Sequence, residues 1–287
     1  MLFAQSVSYR YFFHLCAKFD QYFCFNAFYH LFARFNRNVA LWTERHAPHP
    51  FDLVSPDEDE WSLISYGSSQ LLGLVFPLLQ PGSLIMRLVD FDSQLTKNEQ
   101  EAIFGIAYRQ LIQRHLYFEK KIRGKPTEMR FLSKNPTFTL RITSLLRYFP
   151  TAHILVVVRD PNQAIPSMVS YITAWWRFVA SPTMNYPFRD ELQGMCSKHY
   201  TYPLELATTQ FTFVKYEQLL QSPDSIVQRI LKDLQVNDFA SFKLPNNVNF
   251  TSFVHQYSIA SILGLSQLEF ENKHREVFER YPEYRKL

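Results

Sequence analysis

An α/β fold, a parallel sheet flanked by helices with a helical region ahead of it, follows from three features of the sequence. Residues 153–158 (HILVVV) are almost wholly apolar and β-branched, the composition of a strand covered on both faces. Residues 211–215 (FTFVK) read as a further strand. Between and after these two runs lie helical patterns with apolar residues three and four apart. Strand–helix–strand–helix order calls for parallel pairing and a layered α/β architecture.

Taken in chain order, residues 2–36 carry Tyr9, Phe12, Phe13, Phe19, Phe23, Phe28, Phe32 and Phe35 at mostly helical spacing, which predicts one or two amphipathic helices with a buried aromatic face. Residues 44–60 (ERHAPHPFDLVSPDEDE) are rich in proline and acid and read as a loop. Thr96-Lys97-Asn98-Glu99 is a capping box, so a helix should run from there to about Lys121. Residues 129–133 form a short apolar run that reads as a first strand, ended by Lys134-Asn135-Pro136. Over 138–149, Phe138, Ile142, Leu145, Leu146 and Phe149 fall on one helical face. After 153–158, Asp160 can cap a helix with Pro161 in its first turn. Ser222-Pro223-Asp224 starts another helix, over 224–234, with Ile226, Ile230 and Leu234 in register. No internal repeat or low-complexity tract interrupts this order.

The bulk properties narrow the function classes. Thirty basic against 26 acidic residues give +4, too mild and too scattered for nucleic-acid binding. No apolar run is long enough for a membrane span, and Arg10, Lys18 and Asp20 spoil a signal peptide, which predicts a cytoplasmic protein. Three cysteines (Cys16, Cys24, Cys196) without a CxxC pair favour reduced thiols over a disulfide framework or a zinc site.

In open parallel sheets, ligands bind beyond the carboxyl ends of the strands, where helix amides point. Lys134, Arg159 and Tyr216 each follow one of the three expected strands, and Ser167 lies eight residues beyond Arg159 on the helix that Asp160-Pro161 opens. Arg159 and Ser167 could both reach one phosphate, the first with a planar fork and the second with a single directed bond. Each also has a plainer reading: Lys134 as a solvated strand-end lysine, Ser167 as a serine bonding its own helix backbone, Tyr216 as half-buried core.

Residues 130–170 (RFLSKNPTFTLRITSLLRYFPTAHILVVVRDPNQAIPSMVS) resemble the middle of the sulfotransferases that use 3′-phosphoadenosine-5′-phosphosulfate (PAPS). In that family a strand-end Lys, a helix ending in Phe-Pro, an apolar strand, Arg-Asp-Pro and a Ser eight residues after the Arg follow one another. Residues 213–234 (FVKYEQLLQSPDSIVQRILKDL) resemble its later strand–helix element. PDEDEWSL (56–63) and HQYSIASILGLS (255–266) look like features of its bacterial-type branch. The resemblance implies a P-loop NTPase-like sulfotransferase fold over residues 1–287 as a single domain. Residues 1–55 would be its helical and loop N-terminal part, and 56–287 its α/β body and C-terminal helices. It further implies that Arg159 and Ser167 hold the 3′-phosphate of PAPS, that Tyr216 lies near the adenine, and that Lys134 offsets charge on the reacting group. The acceptor would be a small molecule or glycan, and no metal would be needed.

Two departures accompany the resemblance. Family members open with a Gly-Thr/Ser-rich loop around the 5′-phosphosulfate, and there is no Gly before Gly67 here. Ser65-Tyr66-Gly67-Ser68-Ser69 imitates that loop but has no basic residue and follows an acidic stretch. The chain as written is therefore expected to lack the loop, through a misplaced gene start or a loss in evolution. Second, where the cytosolic branch carries its histidine base, two residues after the lysine, stands Pro136; His46, His49, Glu58 and Glu60 are the alternatives. Two rivals to sulfuryl transfer follow: an inactive remnant that keeps nucleotide affinity, and a phosphoryl transferase, which would want a Walker lysine and a magnesium carboxylate.

Overall fold

The computed structural model describes residues 59–60, 63, 87–88, 90–121, 124, 130–179, 186–236 and 257–286. The helices expected over 2–36, all but the last two residues of the loop expected over 44–60, the 65–69 segment, and the candidate bases His46, His49 and Glu58 lie outside them. The chain divides into two compact units, Met1–Ser69 with Glu101–Pro136, and Gln70–Gln100 with Thr137–Leu287.

The second unit holds the sheet. Strands β1 (Ile154–Val158) and β2 (Phe211–Lys215) pair in parallel, with Ile154 opposite Phe211 and Val158 opposite Lys215. The crossover between them contains α1 (Pro161–Val179) and α2 (Arg189–Glu205). Helix α1 begins as expected: the Asp160 carboxylate accepts the Asn162 amide at 2.9 Å, and Pro161 needs no partner for an amide it lacks. Ile165, Val169 and Ile172, spaced four and three apart, bury one face of α1 against Leu192, Met195 and Cys196 of α2 and against Leu263, Phe270 and Phe278. Burial pushes the Cys196 thiol up to about 12, so it stays an inert, protonated core group.

The expectation that 153–158 is covered on both faces holds for one face only. Val156 and Val158 pack with Val277 and Tyr281, whereas Leu155 and Val157 remain 39% and 49% exposed. A strand alternates its side chains, so a single packed layer covers every second residue.

After β2 come α3 (Tyr216–Gln221) and α4 (Pro223–Asp233), the latter opened by Ser222-Pro223 as the sequence predicts. Near the C-terminus, α5 (Ile259–Leu263) ends at Gly264, whose φ of 72° is the left-handed turn that favours glycine. Helix α6 (Gln267–Lys273) opens with a reciprocal Ser266/Glu269 capping box, and α7 (Arg275–Arg280) follows it.

The predicted capping box at Thr96 is present: Glu99 accepts the Thr96 amide at 2.8 Å, and Thr96 accepts the Glu99 amide at 3.3 Å. The helical run continues through Glu101–Tyr108, with wide i→i+5 bonding, and through Arg109–Lys121. The helix expected over 138–149 is shorter. Pro136–Arg141 is a 3-10 turn, and the α-helix spans Ile142–Tyr148. Asp92 explains where it starts, because its carboxylate accepts the amides of Thr143 at 2.8 Å and Ser144 at 3.0 Å. Those are amides a helix start leaves without intrahelical partners, and the cap comes from a residue about fifty positions away.

In the first unit, Phe104, Ala107, Tyr108, His115 and Glu119 bury one face of the 101–121 run. The strand expected over 129–133 is not formed: among the described residues 130–133, only Phe131 makes an isolated bridge. Side chains hold this segment instead. Ser133 Oγ donates to Asp59 at 2.9 Å, Asn135 Nδ2 bonds both Asp59 and, at 2.7 Å, Ser133, and Asn135 Oδ1 accepts the Glu60 amide at 3.1 Å. Tyr108 also donates to Asp59. Asp59 and Glu60 are fully buried, so this end of the acid-rich stretch is an interior element rather than a solvated loop.

Two buried groups give stability opposite dependences on pH. His274 is 2% exposed, lies against Phe270 and bonds Ser197 Oγ through Nδ1 at 2.7 Å. Burial, aided by the Lys273 charge, lowers its pKa from 6.5 to about 4. A histidine depressed in this way contributes stability that is present above pH 6.5 and lost as pH falls through the folded value. At about pH 5 the loss is roughly 2 kcal/mol. Asp59 runs the other way: burial raises its carboxyl from 3.8 to about 6, so its contribution is complete below 3.8 and lost as pH rises through about 6. Urea melts at about pH 7.5 and about pH 5 should show His274→Gln losing roughly 2 kcal/mol less than wild type over that interval. Equal losses in the two proteins would refute the role given to His274.

Candidate functional site

The register of the sheet builds the site. Because Val158 is level with Lys215, the next residues, Arg159 and Tyr216, leave two adjacent strand ends side by side. Strands pair about 4.8 Å apart, and the Arg159 guanidinium lies 5.4 Å from the centre of the Tyr216 ring. The structure thus brings these two sequence-predicted residues into a cation–π contact.

The turn that carries Arg159 is held from several sides. Tyr200 donates to the Arg159 carbonyl at 2.8 Å. Burial holds the Tyr200 phenol well above its ordinary pKa of 10, which keeps it a donor. Glu217 accepts the Asp160 amide at 2.9 Å and the Tyr284 hydroxyl at 3.0 Å. Asn162, fully buried, donates to the Asp160 carboxylate and to the Tyr284 carbonyl, both at 2.8 Å, and accepts from Gln267 at 2.7 Å. Side chains from α2, α3 and the C-terminal segment therefore converge on a single strand end.

The charges are arranged unevenly. Lys215 is paired with Glu283 at 2.7 Å and sits 5.9 Å from the centre of the Tyr284 ring. The Arg159 guanidinium makes no hydrogen bond and no ion pair among the described residues. Ser167, on α1 about two turns from Arg159, is half-buried, and its hydroxyl likewise has no hydrogen-bond partner among them. It does not bond its own helix backbone, the plainer alternative. A half-buried guanidinium without a carboxylate, followed by an unengaged hydroxyl, is a donor set suited to an anion such as phosphate.

Lys134 is exposed and belongs to the first unit. It does not end a strand; it lies between Ser133 and Asn135, both of which bond buried Asp59. Glu60, one of the candidate bases, is fully buried. The sequence reading missed Asp59, Tyr200, Glu217 and Tyr284. Only Glu217 had a usable sign in the sequence, its place directly after Tyr216 at the end of a strand.

Among the described residues no helix is long and apolar enough to cross a membrane. The model of a family described as "Sulfotransferase family" matches residues 20–240. Two curated relatives, both named omega-hydroxy-beta-dihydromenaquinone-9 sulfotransferase Stf3, come from Mycobacterium bovis and Mycobacterium tuberculosis. Each is 27% identical over 264 residues, an alignment that covers 84% of this chain and 64% of the relative. The chain thus spans less than two thirds of the length of these relatives. No solved structure matches it. With a family match over most of its length and a parallel β–α–β core whose first strand leads into Arg-Asp-Pro, the chain belongs to the sulfotransferase family.

Proposed function

We propose that this chain transfers a sulfuryl group from PAPS to a hydroxyl or amine of a small-molecule or glycan acceptor, as one domain with a P-loop NTPase-like sulfotransferase fold. The observation that carries this reading is the Arg159 guanidinium, held on the Tyr216 ring and left without an ion pair among the described residues. Arg159 offers two N–H groups to the 3′-phosphate, and Ser167 adds a third, directed bond. Tyr216 presents the rest of its ring near the adenine. Lys134 offsets negative charge as it grows on the leaving oxygen. Bound PAPS supplies an activated sulfuryl group with a phosphate as its leaving group. The name of the mycobacterial relatives includes an omega-hydroxy group, which supports a hydroxyl as the acceptor function.

Calorimetry on the 287-residue chain tests the donor site. Adenosine 3′,5′-bisphosphate is expected to bind about tenfold or more tightly than adenosine 5′-monophosphate, the scale of one charge-assisted hydrogen bond. Equal affinities would reject the assignment of Arg159 and Ser167. Transfer of labelled sulfate from PAPS to hydroxylated acceptors then tests the reaction itself.

A further inference from the structure

Two acids flank Arg159 at the strand end, and neither neutralises it. Asp160 follows it in the chain, and Asp160 Oδ1 accepts the Asn162 amide and the Asn162 side chain. Glu217 follows Tyr216, the residue whose ring the guanidinium covers, and its two oxygens accept the Asp160 amide and the Tyr284 hydroxyl. Both carboxylates are thus engaged by neutral donors. The Tyr284 phenol is suited to this task, since burial and the neighbouring Glu217 charge raise its pKa and keep the proton on it. Its carbonyl is also fixed, by the buried side chain of Asn162.

We infer that Tyr284 and Glu217 form a restraint that keeps the Glu217 carboxylate away from Arg159, and so keeps Arg159 available to the 3′-phosphate of the nucleotide. An acid beside a phosphate-binding arginine competes with the phosphate when it is free to turn. Here one oxygen of Glu217 is tied to the backbone of the very turn that carries Arg159, and the other is tied to the last 3-10 turn of the described chain, Pro282–Tyr284. Tyr284 and Glu217 are positioning residues in this scheme, and the inference rests on the reading of Arg159 as an anion-binding group.

The test is a cycle of variants in the full chain, read by calorimetry with adenosine 3′,5′-bisphosphate and adenosine 5′-monophosphate. Tyr284→Phe keeps the ring under Lys215 and the backbone carbonyl but releases one oxygen of Glu217. It should weaken bisphosphate binding about fivefold, the scale of a partly exposed ion pair, and leave the monophosphate nearly unchanged. Adding Glu217→Gln should restore the loss, because an amide cannot pair with Arg159 yet can still accept the Asp160 amide. Restoration separates this role from simple structural damage, which a second substitution would deepen. Glu217→Gln alone should bind the bisphosphate as well as wild type or better, and it decides the matter if Tyr284→Phe does not fold. Unaltered binding in Tyr284→Phe, a loss that Glu217→Gln fails to restore, or a large loss in Glu217→Gln alone overturns the inference. Failure of wild type to prefer the bisphosphate overturns the reading of Arg159 beneath it, a result distinct from the other three.

Discussion

Arg159→Ala is expected to cost about 1.5–3 kcal/mol of affinity for adenosine 3′,5′-bisphosphate, the worth of hydrogen bonds to a charged group. The fold should tolerate the change. The strand-end turn is held through the Arg159 carbonyl by Tyr200 and through the Asp160 amide by Glu217, both of them backbone contacts that alanine keeps. Melting temperature should therefore change little while affinity falls, and the adenosine 5′-monophosphate control should lose much less. Arg159→Lys is expected to recover only part of the loss, because an ammonium supplies a point charge where the guanidinium supplies a fork. Bisphosphate affinity equal to wild type in Arg159→Ala would remove Arg159 from the nucleotide site.

Lys134→Met should lower turnover about 10²-fold or more and leave bisphosphate affinity within about twofold, the pattern of a group that acts only in the transition state. The exposed position of Lys134, on a segment tied to buried Asp59 through Ser133 and Asn135, makes a collapse of the fold an implausible cause of such a loss. Methionine preserves most of the length and apolar stem of lysine and removes the charge. Single-turnover measurements with PAPS separate binding from chemistry. Unchanged turnover would return Lys134 to the role of a solvated surface lysine.

Local pattern was a sound guide wherever an element owes its form to its own residues. The Thr96 capping box and the Asp160-Pro161 helix start form where the sequence puts them, because each is a contact between near neighbours, and the Ser222-Pro223 start forms there because proline suits the first helical position. The pattern failed where a distant side chain intervened. The 129–133 run reads as a strand, yet among the described residues 130–133 no strand forms, and Ser133 and Asn135 bond the Asp59 carboxylate through their side chains instead. The helix after Pro136 starts later than its apolar face suggests because Asp92 supplies the cap at Thr143 and Ser144.

The sequence by itself determined the parallel β–α–β core and the family, and it singled out Arg159, Ser167 and Tyr216 as the residues proposed for the nucleotide. Apolar β-branched runs, helix caps and a fixed Arg-to-Ser spacing are properties of the chain read along its length. Only the tertiary structure decided how those residues stand toward one another and toward charge. The strand register sets Arg159 on Tyr216, Glu283 takes up Lys215, and Tyr284 and Asn162 occupy the acids beside Arg159. Apart from Asn162, three positions away, those residues lie between about 55 and 125 positions from Arg159 in the chain. No spacing rule reaches so far, because the pairing depends on where folding delivers each side chain and on which donor is nearest once water is excluded.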